Sequence, residues 1–276
     1  SQIPLPHPDL KPLSFEQIPM LSQALGLRPH THSSYTLAGL LGWSDLISLW
    51  WIRLEGALAL FAEQAGGFFM PIPPLDAKPN LRAFDAAWEL LDRLNVGSVL
   101  SRIQGVEPED FRALEAHGFS SLEETPEYLY RRSDLAQLKG NAYKSQRRQI
   151  NRFRRCGPYQ VRPYRSRDLQ DCLKLYTLWG IRQARRQFEA YPKALIRDGL
   201  FFHRRLMMHP RALGLVGRVL EVEGRICGYT FAAPVSPETA VVFLEITDRA
   251  LPGSAQLLFK ALCRDLEGFH WINAMG

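Results

Sequence analysis

An α+β fold of two tandem domains, each a mostly antiparallel sheet flanked by helices, is the architecture this sequence predicts. Three observations lead there. Read from hydrophobic periodicity, one order of elements occurs twice: helices, a three-strand meander, a helix, a strand. The charge changes sign between the halves: residues 1–130 hold 8 Lys+Arg against 16 Asp+Glu, and residues 131–276 hold 26 against 12. A chain of 276 residues, 46% hydrophobic and 22% charged, suits two packed cores rather than a disordered polymer.

The first half opens with a proline-rich lead-in (Pro4, Pro6, Pro8, Pro12). A helix follows from about Ser14, closed by Leu21, Leu25 and Leu27. Ser33 and Ser34 are cap residues for a second helix reaching Leu46. The meander is Ser48–Glu55, Ala57–Glu63 and Gly67–Ile72, with Gly66-Gly67 as a hairpin signal. Asn80 starts a helix whose apolar positions Leu81, Phe84, Trp88, Leu91 and Leu94 recur every three or four residues. A strand (Val99–Ile103), a helix (Pro108–His117) and a strand (Glu127–Arg131) complete this half, giving a first domain over 1–135.

Between Lys139 and Arg155 come seven cations and no acid, read as a basic linker helix within 136–158 that ends at Gly157-Pro158. The second domain, 159–276, runs through a strand (Tyr159–Tyr164) and helices Leu169–Arg185 and Tyr191–Met208. Its strands are Leu213–Val222, Ile226–Val235 and Ala240–Asp248, the first pair joined by Glu223-Gly224. A helix (Ala255–Leu266) and a strand (His270–Ala274) end it. A strand leading through a loop into a helix packed on its sheet, in an otherwise antiparallel α+β unit, is the layout of an N-acetyltransferase-like (GNAT) domain. Such a domain continues with one more helix and two strands, so the second copy reads as incomplete at its C-terminal end.

Several classes are excluded. The most apolar stretch, Leu37 to Leu54, is interrupted by Asp45 and Arg53 and falls short of a membrane span. No basic region followed by an apolar core marks a signal peptide. Cys156, Cys172, Cys227 and Cys263 form no C-x-x-C pair, and His30-x-His32 has no evident third ligand, so no metal is expected and the location expected is cytoplasmic. No phosphate-binding P-loop, dinucleotide fingerprint or H-E-x-x-H occurs.

The segment Glu127-Tyr128-Leu129-Tyr130-Arg131-Arg132-Ser133-Asp134-Leu135-Ala136-Gln137-Leu138-Lys139-Gly140, continuing through Tyr143, Arg147, Ile150, Asn151 and Phe153, resembles Y-x-Y-R-x-x-D-L-x-x-L-x-G-x-x-Y-x-x-x-R-x-x-I-N-x-F. That pattern belongs to the C-terminal catalytic domain of phosphatidylglycerol lysyltransferases and their free-standing bacterial relatives. Sparser echoes are Leu40-Leu41-Gly42-Trp43, with Gly39 where the family carries Asn, Phe243-Leu244-Glu245 followed by Pro252-Gly253, and Trp271-Ile272-Asn273. The resemblance implies an acyl-transfer site in the second domain and, from its characterised members, transfer of an aminoacyl group from aminoacyl-tRNA to a lipid hydroxyl.

Candidate residues follow from both lines. Lys144, Arg147, Arg148 and Arg155 share a broad face of the basic helix, and Arg suits phosphate because its planar fork donates two hydrogen bonds. Tyr143, Asn151 and Arg152 lie beside them; the alternative is a solvated linker face. Gly253 and Ser254 open a helix whose N-terminus favours an anion. An acyl-CoA loop carries Arg or Gln three residues before its first Gly, and here that position is Ala250, so acyl-CoA is disfavoured. Glu245, amid apolar residues, reads as a general base or amine anchor, or else as an outward edge carboxylate. Asn273 is an oxyanion donor or a strand-end cap, and Trp179 a substrate contact or a core aromatic. His203 reads as a surface or boundary histidine.

The expected function is therefore aminoacyl transfer from aminoacyl-tRNA to a lipid or small-molecule acceptor, with peripheral contact to an anionic membrane allowed by the charge. The alternatives are an acyl-CoA-dependent acyltransferase and a non-catalytic module binding RNA or anionic membrane.

Overall fold

A computed structural model describes residues 9–186 and 193–275; most of the proline-rich lead-in and the expected helix start at Tyr191 lie outside the described residues. The chain divides into two compact units, Ser1–Thr125 and Pro126–Gly276.

In the first unit Lys11–Pro12 (β1), Ser48–Leu54 (β2), Ala57–Gln64 (β3) and Gly67–Phe69 (β4) form an antiparallel four-stranded sheet in that order. The β2–β3 turn places Glu55 and Gly56 at φ of 49° and 86°, a left-handed pair whose twist matches a two-residue hairpin. The helices are Ile18–Leu25 (α1), Leu37–Leu41 (α2), Leu81–Leu94 (α3) and Pro108–Ala116 (α4). Asn80 caps α3, its side-chain oxygen accepting from the Ala83 N–H at 3.1 Å. The apolar stripe of α3 packs Ala87, Leu90 and Leu91 against Trp50, Phe61, Phe68 and Met70.

Two expectations for this half are corrected. The helix expected from Ser33–Ser34 to Leu46 is a 3-10 turn, Ser33–Tyr35, followed by the short α2, because Thr36 is extended and caps α2 through Gly39 N–H at 2.8 Å. The strand expected at Val99–Ile103 shrinks to one bridge between Ile103 and Met70. Its place beside β4 is taken by a side chain. Buried Asn95 accepts from Phe68 N–H at 2.7 Å and donates to Phe68 C=O at 2.8 Å, as a neighbouring strand would.

The second unit holds Leu129–Arg131 (β5), Tyr159–Pro163 (β6), Val216–Val222 (β7), Arg225–Pro234 (β8), Thr239–Thr247 (β9) and Trp271–Asn273 (β10). Their sheet order is β5-β10-β9-β8-β7-β6, with β9–β10 parallel and every other pairing antiparallel. Its helices are Arg132–Gln137 (α5), Lys144–Arg154 (α6), Leu169–Arg186 (α7), Lys193–Met208 (α8) and Ser254–Asp265 (α9). On one face α9 buries Leu257, Leu258, Leu262 and Cys263 between the sheet and helices α5 and α6. On the other, Tyr229 and Phe231 of β8 meet His203 of α8 and Tyr164.

The division differs from the expected boundaries at 135/136 and 158/159, both of which fall inside this unit. The segment expected to close the first sheet is β5, paired instead with β10 in the register Leu129↔Asn273, Tyr130↔Ile272, Arg131↔Trp271. The basic helix α6 is no linker. Ile150 and Phe153 are core residues packed with Leu257 and Leu258, so its inner face is committed to α9.

Candidate active site

The site begins where two parallel strands part. β10 pairs only with Thr239–Val241, while β9 runs on to Thr247, leaving one edge of β9 open from Val242 among the described residues. The β8–β9 register slips here: Phe231 pairs with Leu244 and Ala232 with Val242, so Phe243 is bulged out of the ladder. A bulge bends and re-aims the strand that carries it. Two residues on stands Glu245. Its side chain is exposed to solvent, although protein atoms crowd its carboxyl closely. Glu245 makes no hydrogen bond or ion pair among the described residues. Lost hydration pushes its carboxyl up to about 7. From α9 the buried thiol of Cys263 faces it, pushed up to about 12 by its own burial first and by the Glu245 charge second.

On the outer face of α6 the structure separates residues that spacing had grouped. Lys144, Arg148, Asn151, Arg152 and Arg155 are exposed, and no described carboxylate lies within ion-pair distance of these four cations. Arg147 is the exception. It turns back to donate to the carbonyls of Leu138 at 2.5 Å and Gly140 at 2.7 Å, just past the C-terminus of α5. Lys260 and Arg264 of α9 donate to the carbonyls of Gln137 and Ala136. Three cations thus satisfy the orphan carbonyls and the negative dipole end of α5. Tyr143 is half-buried against the α9 core.

Other expected contacts are also committed internally. Gly253 has φ +93°, and a Cβ there would lie 2.1 Å from the Gln149 carbonyl oxygen of α6. Ser254 is buried, its N–H donating to Leu251 C=O. Asn273 is 2% exposed; its amide donates to Glu127 at 2.5 Å and accepts from Met275 N–H at 2.8 Å. It caps the end of β10 and holds β5's approach rather than aiming at an open site. Trp179, half-buried 5.5 Å from the Tyr176 ring, lines a shallow surface depression with Leu175, Leu178, Arg182, Thr247, Asp248 and Arg249. Arg182 pairs with Asp248 at 2.7 Å. Although burial raises the Asp248 carboxyl, the Ala250 N–H and Arg182 together hold it below its ordinary range.

Two features escaped the sequence reading. The bulge at Phe243 has no local signature. Thr230 stands opposite Glu245 on the ladder, fifteen residues away in sequence terms only by virtue of the β8–β9 turn. His203 is a half-buried histidine whose Nδ1 lies 2.7 Å from the Tyr229 hydroxyl, and burial pushes it down to about 3, so it stays neutral. Among the described residues no group of three or more His, Cys, Asp or Glu is placed to hold a metal ion, and no helix is long and apolar enough to cross a membrane.

The fold is that of tandem GNAT-like acyltransferases: in the second unit a splayed parallel strand pair, with a helix between its strands in sequence, frames the candidate acid. The chain belongs to the phosphatidylglycerol lysyltransferase C-terminal family, whose model matches residues 26–276. Among solved structures it is similar to a conserved protein of unknown function from Bacteroides thetaiotaomicron, with TM-score 0.83, 22% identity, and coverage of 96% of this chain and 89% of that one. It is also similar to the C-terminal domain (DUF2156) assigned to a lysylphosphatidylglycerol synthetase from Agrobacterium fabrum (TM-score 0.62, 13% identity, 95% and 79% covered). FemX aligns with TM-score 0.59 and 8% identity over 97% of this chain and 88% of its own. No curated protein sequence matches the chain.

Proposed function

We propose that this protein transfers an aminoacyl group from aminoacyl-tRNA to an amine or hydroxyl of a lipid or small-molecule acceptor. The observation that carries the reading is Glu245: an acid without a side-chain partner among the described residues, on the strand whose edge opens, its carboxyl pushed up toward neutrality by the protein around it. A general base works best when its pKa lies near the working pH. The activated ester needs alignment, a proton acceptor and donors for the oxyanion. Glu245 takes the proton of the attacking N–H or O–H as that atom bonds to the ester carbonyl carbon. The bond from that carbon to the ribose oxygen then breaks, and the proton passes to the departing oxygen. The backbone of the open β9 edge offers donors for the oxyanion, since the Asn273 amide is held by Glu127.

Lys144, Arg148, Arg152 and Arg155 support a polyanionic donor, because their charge is uncompensated on the surface. Ala250, at the position where an acyl-CoA loop carries Arg or Gln, supports a donor other than acyl-CoA. Incubation with a pool of charged tRNAs and a cell extract, read by mass spectrometry, tests the proposal. Aminoacylated products that disappear with Glu245→Gln are expected. Products formed equally by Glu245→Gln remove the proton-acceptor role, and no product with any charged tRNA removes the donor class.

A further inference from the structure

Thr230 is fully buried beneath α9, and its hydroxyl oxygen has no hydrogen-bond partner in the structure. A buried hydroxyl left unsatisfied costs stability, and valine would fill the same volume without that cost. Something therefore has to be asked of this oxygen. Thr230 pairs directly with Glu245 across the β8–β9 ladder. Directly opposed residues point to the same face, with Cβ atoms about 5 Å apart. A hydroxyl lacking an acceptor and a carboxylate lacking a donor are thus cross-strand neighbours.

The surroundings leave few competitors. Gly228 and Ala232 share that face of β8 with Thr230. From α9 the Cys263 thiol is the titratable neighbour of Glu245. The Arg132 guanidinium near Cys263 donates to the carbonyls of Cys263 and Phe269. On β10 the Asn273 amide is held by Glu127. Helices α7 and α8 cover the opposite face, where His203, Tyr164, Tyr176, Tyr229 and Cys172 are the titratable groups.

We propose that Thr230 is the positioning residue for Glu245: when the carboxylate ionises it turns one oxygen onto the Thr230 hydroxyl and presents the other to the substrate. The inference rests on Glu245 acting at the transfer site, as argued above. Thr230 touches no substrate. It selects the orientation of the group that does, and by donating to the charged form it offsets part of the desolvation that disfavours ionisation.

The test is a carboxyl-carbon NMR titration of protein labelled with 13C-glutamate, the Glu245 signal assigned by its loss in Glu245→Gln. In Thr230→Val, with the donor gone, the midpoint is expected about half a unit to one unit above the wild-type value, and Thr230→Ser restores that value. Thr230→Ala, which adds no bulk, moves it in the same direction as Thr230→Val and serves if the valine protein does not fold. An unchanged midpoint in Thr230→Val or Thr230→Ala overturns the proposal, and a higher melting temperature with it identifies the hydroxyl as a mere packing defect. The titration needs no substrate, so its failure is separable from that of the transfer reading. Retained transfer by Glu245→Gln removes the catalytic role, whereas an unmoved titration removes only the Thr230 contact.

Discussion

Glu107 in the first unit is half-buried and Glu245 in the second is exposed but crowded by protein atoms, and their carboxyls move in opposite directions from the ordinary range. Burial alone would raise both. At Glu107 it is outweighed: His30 Nδ1 lies 2.6 Å away, the N–H groups of Thr31 and His32 donate at 3.0 and 3.3 Å, and the carboxyl ends below its usual value. The same corner pairs Arg28 with Asp110, stacks His30 on Tyr35 at 3.9 Å, and ties the Tyr35 hydroxyl to Gly105 C=O. At Glu245 nothing opposes burial, and the carboxyl rises to about 7. The first acid is satisfied and holds a fold together. The second is left wanting by the fold, and a ligand or a catalytic proton can supply what is missing.

The sharpest break of this comparison is catalytic. Glu245→Gln is expected to cost about 100-fold or more in transfer rate, the usual range for a general base, while Glu107→Gln leaves the rate per folded molecule unchanged. Initial rates with a charged-tRNA donor check both.

Stability should reverse the ranking. Glu107→Gln is expected to lower unfolding free energy by about 2–3 kcal/mol at neutral pH, since it breaks a partly buried hydrogen-bonded pair. The pH dependence carries opposite signs. The Glu107 contribution is present above its unfolded pKa of about 4.3 and fades as pH falls through its lowered folded value. The Glu245 contribution is full below about 4.3 and is lost as pH rises through about 7. Urea melts from pH 3 to 8, a span of about five units around these reference values, should show Glu107→Gln flattening the acid limb and Glu245→Gln flattening the decline toward neutrality.

Arg147 and Arg148 sharpen the same distinction on adjacent residues. Arg147→Ala leaves carbonyls past α5 without their donor and is expected to destabilise by about 1–2 kcal/mol. Arg148→Ala, at an exposed unpaired site, should stay within about 0.5 kcal/mol of the wild type in the same melts. The outer cations act on binding instead. Arg148→Ala with Arg152→Ala should weaken tRNA retention on filters by about tenfold at low salt and reduce the salt slope by about 2. Unchanged retention would remove α6 from the donor interface.

Much of the fold was legible because its signals are local. A left-handed turn such as Glu223-Gly224, at φ of 49° and 76°, is written in two residues, and the stripe of α3 in fourteen. The Asn80 cap was readable for the same reason. Strand partnership is not local. Leu129–Arg131 has the composition of a strand, but only the free edge of β10 decides which sheet it joins. Nor does helical spacing tell Arg147 from Arg148, because what distinguishes them is the end of α5 lying against one and not the other.

The candidate site divides along the same line. That Glu245 is a carboxylate in an apolar strand, and that the cations gather on one helix, was determined by the sequence itself, since composition and periodicity are properties of neighbours along the chain. That Glu245 has no partner, that Thr230 stands across from it, and that β9 opens beside it were decided only when distant segments packed. Burial, register and hydrogen-bond satisfaction are sums over neighbours in space, and a linear order of residues does not contain them until the sheet is assembled.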